Sequence, residues 1–268
     1  MTAGTSELLT IARDAALAAG RLVRQRRADG VEVAASKSSQ EDIVTNADRE
    51  SEQLIRSLLA KVRPGDGFLG EESGADVGSS GLTWVVDPID GTVNYFYGIP
   101  HYAVSIAVVE GDPDPATWRA LAGAVVNPVT GETFTATRGG GAFLGDERIR
   151  VAPAVELSQA LVSTGFSYSA AKRLDQAAVV AKLIGEVRDI RRMGTASLDL
   201  CFVACGRLNA HYERGLNPWD HAAGALVAAE AGAAVRGLRG AAATAEFLLC
   251  AEPSVAAELE RVLLEFKI

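Results

Sequence analysis

Apolar positions recur at helical spacing from the start of the chain. Leu8, Leu9, Ala12, Ala15, Ala16, Ala19, Leu22 and Val23 form one stripe, which predicts an amphipathic helix from about Ser6 to Ala28, closed by Gly30. The polar stretch "ASKSSQED" reads as a loop. A second helical pattern begins near Thr45 and runs through "NADRESEQLIRSLLAKVR" until Pro64 and Gly65 stop it. There the period changes. "FLG" predicts a short strand leading to an exposed turn at "EES". "GLTWVVD" predicts a buried strand, and "HYAVSIAVVEG" a strand that is apolar on both faces. "LAGAVVNPVTGETFTATRGGGAFLGDERIRV" is punctuated at Asn127-Pro128, Thr130-Gly131 and Gly139 to Gly141, as in an antiparallel meander.

After about Val151 strands alternate with helices. "LSQALVSTGF", "DIRRMG", "LNAHYER" and "AEFLLCAEP" read as strands. "KRLDQAAVVAKLIGEV", "TASLDLCFVACGR", "WDHAAGALVAAEAG" (ended by Gly232) and the last segment read as helices. The expectation is an α+β lobe over residues 1–150 packed tightly on an α/β lobe over 151–268, since no repeat or low-complexity linker separates them.

Composition adds bounds. Hydrophobic residues make up 48% and charged residues 22% of 268, ordinary for a globular protein. The formal net charge of −8 disfavours nucleic acid and anionic membranes as partners, so an anionic substrate needs local positive charge, for which a bound metal is the obvious source. Cys201, Cys205 and Cys250 form no disulfide framework, which points to a reducing compartment; Cys201 and Cys205 share a helix face as small apolar residues. The segment "MTAGTSELLTIARD" has neither a basic n-region nor an apolar h-region, and "AAGALVAAEAGAAV" is short and carries Glu230, so a cytoplasmic protein is expected.

The candidate chemistry is acidic. In "TWVVDPIDGTVNY" a buried strand ends in Asp87 and Asp90, three residues apart around Pro88. Asp-Pro and Asp-Gly are also common turn dipeptides. Against a plain turn, two carboxylates held close at the end of a buried strand repel unless a cation neutralises them, and oxygen donors suit magnesium, manganese or calcium. Gly91 permits a tight turn, and Thr92 begins a short helix whose N–H groups favour phosphate. Glu71-Glu72 is either a solvated loop or a donor to the same place. Asp220, ahead of an alanine-rich helix, fits an N-cap. Thr45 and Asp48 fit a capping box, which does not stop Asp48 from facing a site. No Walker A sequence, G-x-S-x-G elbow or H-E-x-x-H is present; "RGGGAF" is a hairpin turn, and His101, His211 and His221 are scattered and read as structural.

Several blocks together resemble the inositol monophosphatase family: "DIVTNAD" at Asp42–Asp48, "GEES" at Gly70–Ser73, "WVVDPIDGTVNY" at Trp84–Tyr95, "GTAS" at Gly194–Ser197, "AHYERG" at Ala210–Gly215 and "WDHAAG" at Trp219–Gly224. The resemblance implies an α-β-α-β-α layered sandwich, a homodimer, and magnesium-dependent, lithium-sensitive hydrolysis of a small phosphate monoester. It implies that Glu71, Asp87 and the Ile89 carbonyl hold a first metal, that Asp87, Asp90 and Asp220 hold a second, and that a third, weaker one sits near Glu71. Manganese or calcium can stand in for magnesium. Gly91 and Thr92 are implied to bind phosphate, and Asp48 with Thr92 to orient the attacking water. Glu72 stands behind the ligands, and Lys37 matches the basic residue of a loop over the site. Gly194, Thr195, Ala196 and Glu213 border the leaving group. The Glu213 carboxylate can accept two hydroxyl hydrogen bonds, which favours a polyol, so inositol-1-phosphate is the expected substrate. Histidinol phosphate, a sugar bisphosphate or a phosphonucleotide is the enzymatic alternative, and a non-catalytic protein associated with RNA or transcription is the alternative of another class. "STGFSYS" at Ser163–Ser169 lines the second lobe in relatives. His101 stands where relatives often carry an apolar residue, and Trp118 lies in an insertion-like "GDPDPATW" hairpin.

Overall fold

A computed structural model of the chain describes residues 4–31, 33–36 and 43–268. The elements run α1 (Thr5–Asp29), β1 (Val33–Ser36), β2 (Ile43–Thr45), α2 (Asn46–Val62), β3 (Gly67–Gly70), β4 (Gly74–Asp76), β5 (Leu82–Asp90), α3 (Thr92–Tyr97), β6 (Ala103–Glu110), β7 (Arg119–Val126), β8 (Thr133–Thr137), β9 (Gly141–Leu144) and β10 (Glu147–Ile149). They continue with β11 (Leu161–Thr164), α4 (Ala170–Leu183), β12 (Asp189–Arg191), α5 (Ala196–Ala204), β13 (Ala210–Glu213), α6 (Pro218–Glu230), β14 (Ala234–Arg236), β15 (Leu248–Ala251) and α7 (Pro253–Glu265).

Strands β3 to β10 form one eight-stranded sheet in the order β10-β9-β8-β7-β6-β5-β3-β4, and β11 to β15 form a five-stranded sheet in the order β12-β11-β13-β15-β14. Side-chain alternation sorts the layers. On one face of the first sheet, Trp84, Val86, Val104, Ile106, Val108, Ala122 and Ala124 pack against the α1 stripe of Leu8, Ala12, Ala15, Ala16, Ala19 and Val23, and against Ile55 and Leu59 of α2. On the other face, Val85, Ala103, Ala107, Val109 and Val125 pack against α5 and α6. Leu248 and Cys250 of the second sheet meet the same two helices from the opposite side. Leu249, Ala251, Val162 and Tyr212 face outward onto α4 and α7. The result is the expected α-β-α-β-α sandwich, with α5 and α6 as its middle layer.

Strand pairing bears on the site. The meander from β7 to β10 is antiparallel as expected, and outside it β3 runs parallel to β5, with Gly67 opposite Thr83 and Gly70 opposite Val86. Strands paired in parallel end at the same edge. Glu71 therefore emerges level with Asp87, held by its N–H donating to the Val86 carbonyl at 3.2 Å. The "EES" turn is the tip of the β3–β4 hairpin, closing where Gly70 pairs with Gly74. The expected loop "ASKSSQED" falls mostly on residues 37–42, which lie outside the described residues; on either side of them β1 and β2 form a short antiparallel pair. Lys37 lies outside the described residues.

The middle layer is close-packed because small residues face one another. Gly123 of β7 lies over Ala223 of α6, where a Cβ would stand 3.1 Å from the Ala223 Cα. One residue on, a Cβ at Gly224 would meet the Ser197 carbonyl oxygen of α5 at 2.9 Å and Leu200 Cβ at 3.0 Å. Gly224→Leu is therefore expected to destabilise the protein by about 2 kcal/mol or more, through overpacking between two helices that have no room to part. Thermal unfolding checks this; an unchanged melting temperature contradicts it.

Candidate active site

In a regular strand, residues three apart point to opposite faces. Asp87 and Asp90 do not, because the register slips between them: Asp87 pairs with Ser105 and Asp90 with Ala103, so three residues on β5 span two on β6. This bulge at Pro88 turns both carboxylates toward the middle layer and sends the Ile89 side chain into the opposite core. Asp87 Oδ1 accepts the Ile89 N–H at 3.0 Å, which fixes the turn. The dipeptides are thus both a turn and a site.

Helix starts bring in the other acids. The Asn217 side chain, not Asp220, caps α6; Asp220 is the third helical residue of a capping box and accepts the Asn217 N–H at 2.6 Å. Asp48 does the same for α2, with Oδ2 accepting from the Thr45 N–H at 2.8 Å and the Thr45 hydroxyl at 2.6 Å. Its Oδ1 accepts from the Thr92 hydroxyl at 3.0 Å, and Thr92 Oγ1 is also 3.0 Å from the Ile89 carbonyl. Asp48 is fully buried, and its link toward the site is this bond to Thr92; neither Asp48 nor Thr92 is among the residues that line the cleft itself. Asp90 Oδ2 accepts the Ser197 N–H at 2.7 Å, at the positive end of α5.

These carboxylates are held together against their charges. Burial, and then Glu71, Asp90 and Asp220, push the Asp87 carboxyl well above its usual range. Asp220 is pushed the same way by burial, Asp90 and Glu71. Burial lifts Asp90 to about 7 despite the Ser197 hydrogen bonds, and lifts Asp48 to about 7 despite those from Thr45. Among the described residues, no group of three or more acidic, histidine or cysteine side chains is placed to hold a metal ion as it stands. The donor chemistry nonetheless fits one class of ion: crowded carboxylates and a carbonyl, all hard oxygens, suit a divalent cation of the magnesium type.

Glu71, Asp87, Ile89, Asp90, Gly91, Gly194, Thr195, Ala196, Glu213 and Asp220 all line one cleft of about 540 Å³. Gly91 has φ 93°, in the left-handed region, and a Cβ there would collide with Thr195 Oγ1. Glycine thus lets the first sheet touch the loop before α5. Across this seam Thr195 donates to the His101 carbonyl at 2.9 Å and Asn94 to the Met193 carbonyl at 2.8 Å. Glu72 lies beside the cleft, its N–H donating to Glu52 at 2.8 Å. Glu52 itself is buried and was not singled out in the sequence. Nor were Lys172, Arg192 and Arg214, which border the same cleft and supply local positive charge, while Phe166 of the "STGFSYS" stretch borders it as an apolar wall. The one signal for Arg192 was its place two residues before Gly194. Trp118 and His221 meet as tilted rings 5.8 Å apart, and His101 packs on Phe202 at 5.7 Å, both as structural contacts. Cys201 and Cys250 are buried, and all three cysteines are free. No helix among the described residues is long and apolar enough to cross a membrane.

Comparison with known proteins agrees with this geometry. Residues 5–266 match the inositol monophosphatase family. Inositol-1-monophosphatase SuhB of Mycobacterium tuberculosis is 48% identical over 248 residues, which is 86% of this chain and 83% of that protein. The solved structure of Mycobacterium tuberculosis SuhB superposes with a TM-score of 0.82 at 43% identity, covering 98% of each chain. A protein of Pasteurella multocida named Nus factor SuhB is 38% identical over 257 residues, 94% of each. A match of this length and closeness, over a fold and cleft of this form, has one consequence: the chain belongs to the inositol monophosphatase family.

Proposed function

We propose that this phosphatase hydrolyses inositol-1-phosphate to inositol and phosphate, with magnesium held by Glu71, Asp87, the Ile89 carbonyl, Asp90 and Asp220. The carrying observation is the β5 bulge, which aims Asp87 and Asp90 into a cleft that also holds Glu71, Asp220 and Glu213. When bound, the ions supply Lewis acidity, which offsets phosphate charge and makes water a better nucleophile. The chain's own residues do the rest. The Gly91 and Thr92 N–H groups receive the phosphate at the start of α3. The Thr92 hydroxyl donates to Asp48 Oδ1 and keeps a lone pair for the attacking water, so Asp48 is the acceptor toward which that water's proton moves. Glu213 and the Gly194–Ala196 backbone orient the polyol, and Glu72 supports the turn that carries Glu71. A cytoplasmic homodimer inhibited by lithium is the corresponding state.

Inositol-1-phosphate is preferred over histidinol phosphate, sugar bisphosphates and phosphonucleotides because Glu213 offers acceptors to neighbouring hydroxyls. The name of the Pasteurella multocida relative favours a second reading, an additional role with the transcription machinery. At net charge −8, that role would run through protein contacts rather than direct RNA binding.

Asp90→Asn is expected to lower kcat/KM by about a hundredfold or more while the protein stays folded. Phosphate release and circular dichroism check this together; a folded, fully active variant contradicts the ligand set. Phosphate release from a panel of monoesters, with and without a chelator, checks the substrate. Inositol-1-phosphate should lead and chelation should abolish turnover, whereas histidinol phosphate preferred by orders of magnitude overturns the choice.

The sign of the pH dependence follows from Asp48 and Asp90, whose folded-state values near 7 lie above the ordinary carboxylate value. Acids raised in this way stabilise the fold fully below the unfolded value and lose that contribution as pH rises through about 7. Metal-free protein should therefore melt lower as pH rises from about 4 to about 7, and magnesium, competing with those protons, should raise the melting temperature more at about pH 8 than at about pH 6. An equal rise at both pH values argues against binding by these carboxylates.

A further inference from the structure

Glu213 has a buried neighbour. On β13 it shares a face with His211, whose side chain is fully buried. Across the sheet, Ser163 of β11 is the register partner of His211, and its hydroxyl lies 2.9 Å from the ring Nδ1. Asp199 of α5 brings Oδ2 to 3.7 Å from the same nitrogen. At the far edge of the ring, Nε2 lies 3.6 Å from Glu213 Oε2. Neither His211 Nε2 nor Asp199 Oδ1 has a hydrogen-bond partner among the described residues. Buried polar atoms are nearly always paired, so orphans this close to a binding cleft call for a physical reason.

The surroundings supply one. A Cβ at Gly165 would collide with the Glu213 carboxylate, so the end of β11 limits its swing on one side. Arg192 exerts its positive charge on Glu213 and Asp199 from the cleft, and Asp90 exerts negative charge on both. Ser163 Oγ lies within hydrogen-bond distance of Nδ1 at 2.9 Å, whereas Asp199 Oδ2 at 3.7 Å does not. Nδ1 is then left to accept from Ser163, which places the ring proton on Nε2, facing Glu213. The 3.6 Å gap is longer than a hydrogen bond, and a small rotation of Glu213 closes it.

We propose that His211 is a positioning residue: with Ser163 donating to Nδ1, its Nε2–H holds the Glu213 carboxylate in the orientation that accepts substrate hydroxyls, and so favours polyol phosphates over esters without hydroxyls. The inference rests on Glu213 as the polyol contact. Burial lifts the Glu213 carboxyl to about 8 against the pull of Arg192, and a donated Nε2–H favours its charged, acceptor-only form; without His211 only Arg192 draws on it.

Steady-state kinetics with inositol-1-phosphate and with p-nitrophenyl phosphate, whose leaving group has no aliphatic hydroxyl, test this. His211→Phe should raise KM for inositol-1-phosphate about tenfold with kcat little changed, and shift kcat/KM for p-nitrophenyl phosphate by less than about twofold. His211→Gln, whose amide N–H takes the place of Nε2–H, should recover part of that KM. Ser163→Ala should move KM in the same direction by less. An unchanged KM for inositol-1-phosphate, or equal losses on both esters, overturns the proposal. Should thermal unfolding show His211→Phe to be misfolded, Ser163→Ala decides, and an unchanged KM there overturns it. Glu213→Gln separates the two layers of the argument. If it leaves KM for inositol-1-phosphate unaltered, the polyol contact itself fails and the proposal with it. If it raises KM while the His211 and Ser163 variants do not, only the positioning role fails.

Discussion

Buried carboxylates that face one another repel, and the centre of this fold is arranged to hold them together anyway. The bulge in β5 spends one residue of register to aim Asp87 and Asp90 the same way. Parallel pairing of β3 with β5 brings Glu71 level with them. Asp220 arrives on the first turn of α6, fixed by its capping box. Each device would be needless for stability alone, since burial and mutual repulsion push these groups toward the neutral form. In the proposed reading a divalent cation would resolve the conflict and give phosphate a place to bind inside an acidic protein.

The small residues of the middle layer belong to the same arrangement. Gly123, Ala223 and Gly224 let α6 lie flush against both β7 and α5. Any parting of these helices would carry Asp220 away from β5 and Ser197 away from Asp90. Across the seam, Gly91 and Thr195 leave no gap between the first sheet and the loop before α5. Core packing and site geometry are therefore one constraint, and stability measured at Gly224 is also a statement about the cleft.

Much of this was legible in the sequence. The α1 stripe, the apolar β5 and β6, the meander from β7 to β10 and the strand–helix alternation after Val151 all follow from periodicity, because each element buries a defined face. The acids of the site were legible as a conflict, carboxylates at the end of an apolar strand, and the motif blocks gave them their order. What escaped depends on contacts between distant segments. Parallel pairing of β3 leaves no local mark. Lys172, Arg192 and Arg214 meet at the cleft from three separate elements, and each looks like a surface residue in its own stretch. His211 read as a structural histidine because nothing nearby in the chain announces Ser163 or Asp199. Asp220 looked like a cap, and the capping box shows why: the residue closes the helix with one oxygen and leaves the other for the cleft.

The central claim is that Glu71, Asp87, Asp90 and Asp220 together cage divalent ions. The most direct measurement is anomalous diffraction from crystals soaked in manganese, which scatters where magnesium would sit. The account predicts strong peaks within coordination distance of the Asp87 carboxylate, shared with Glu71 on one side and with Asp90 and Asp220 on the other. Full soaking with no peak in this cleft, or peaks held only by other residues, would contradict it.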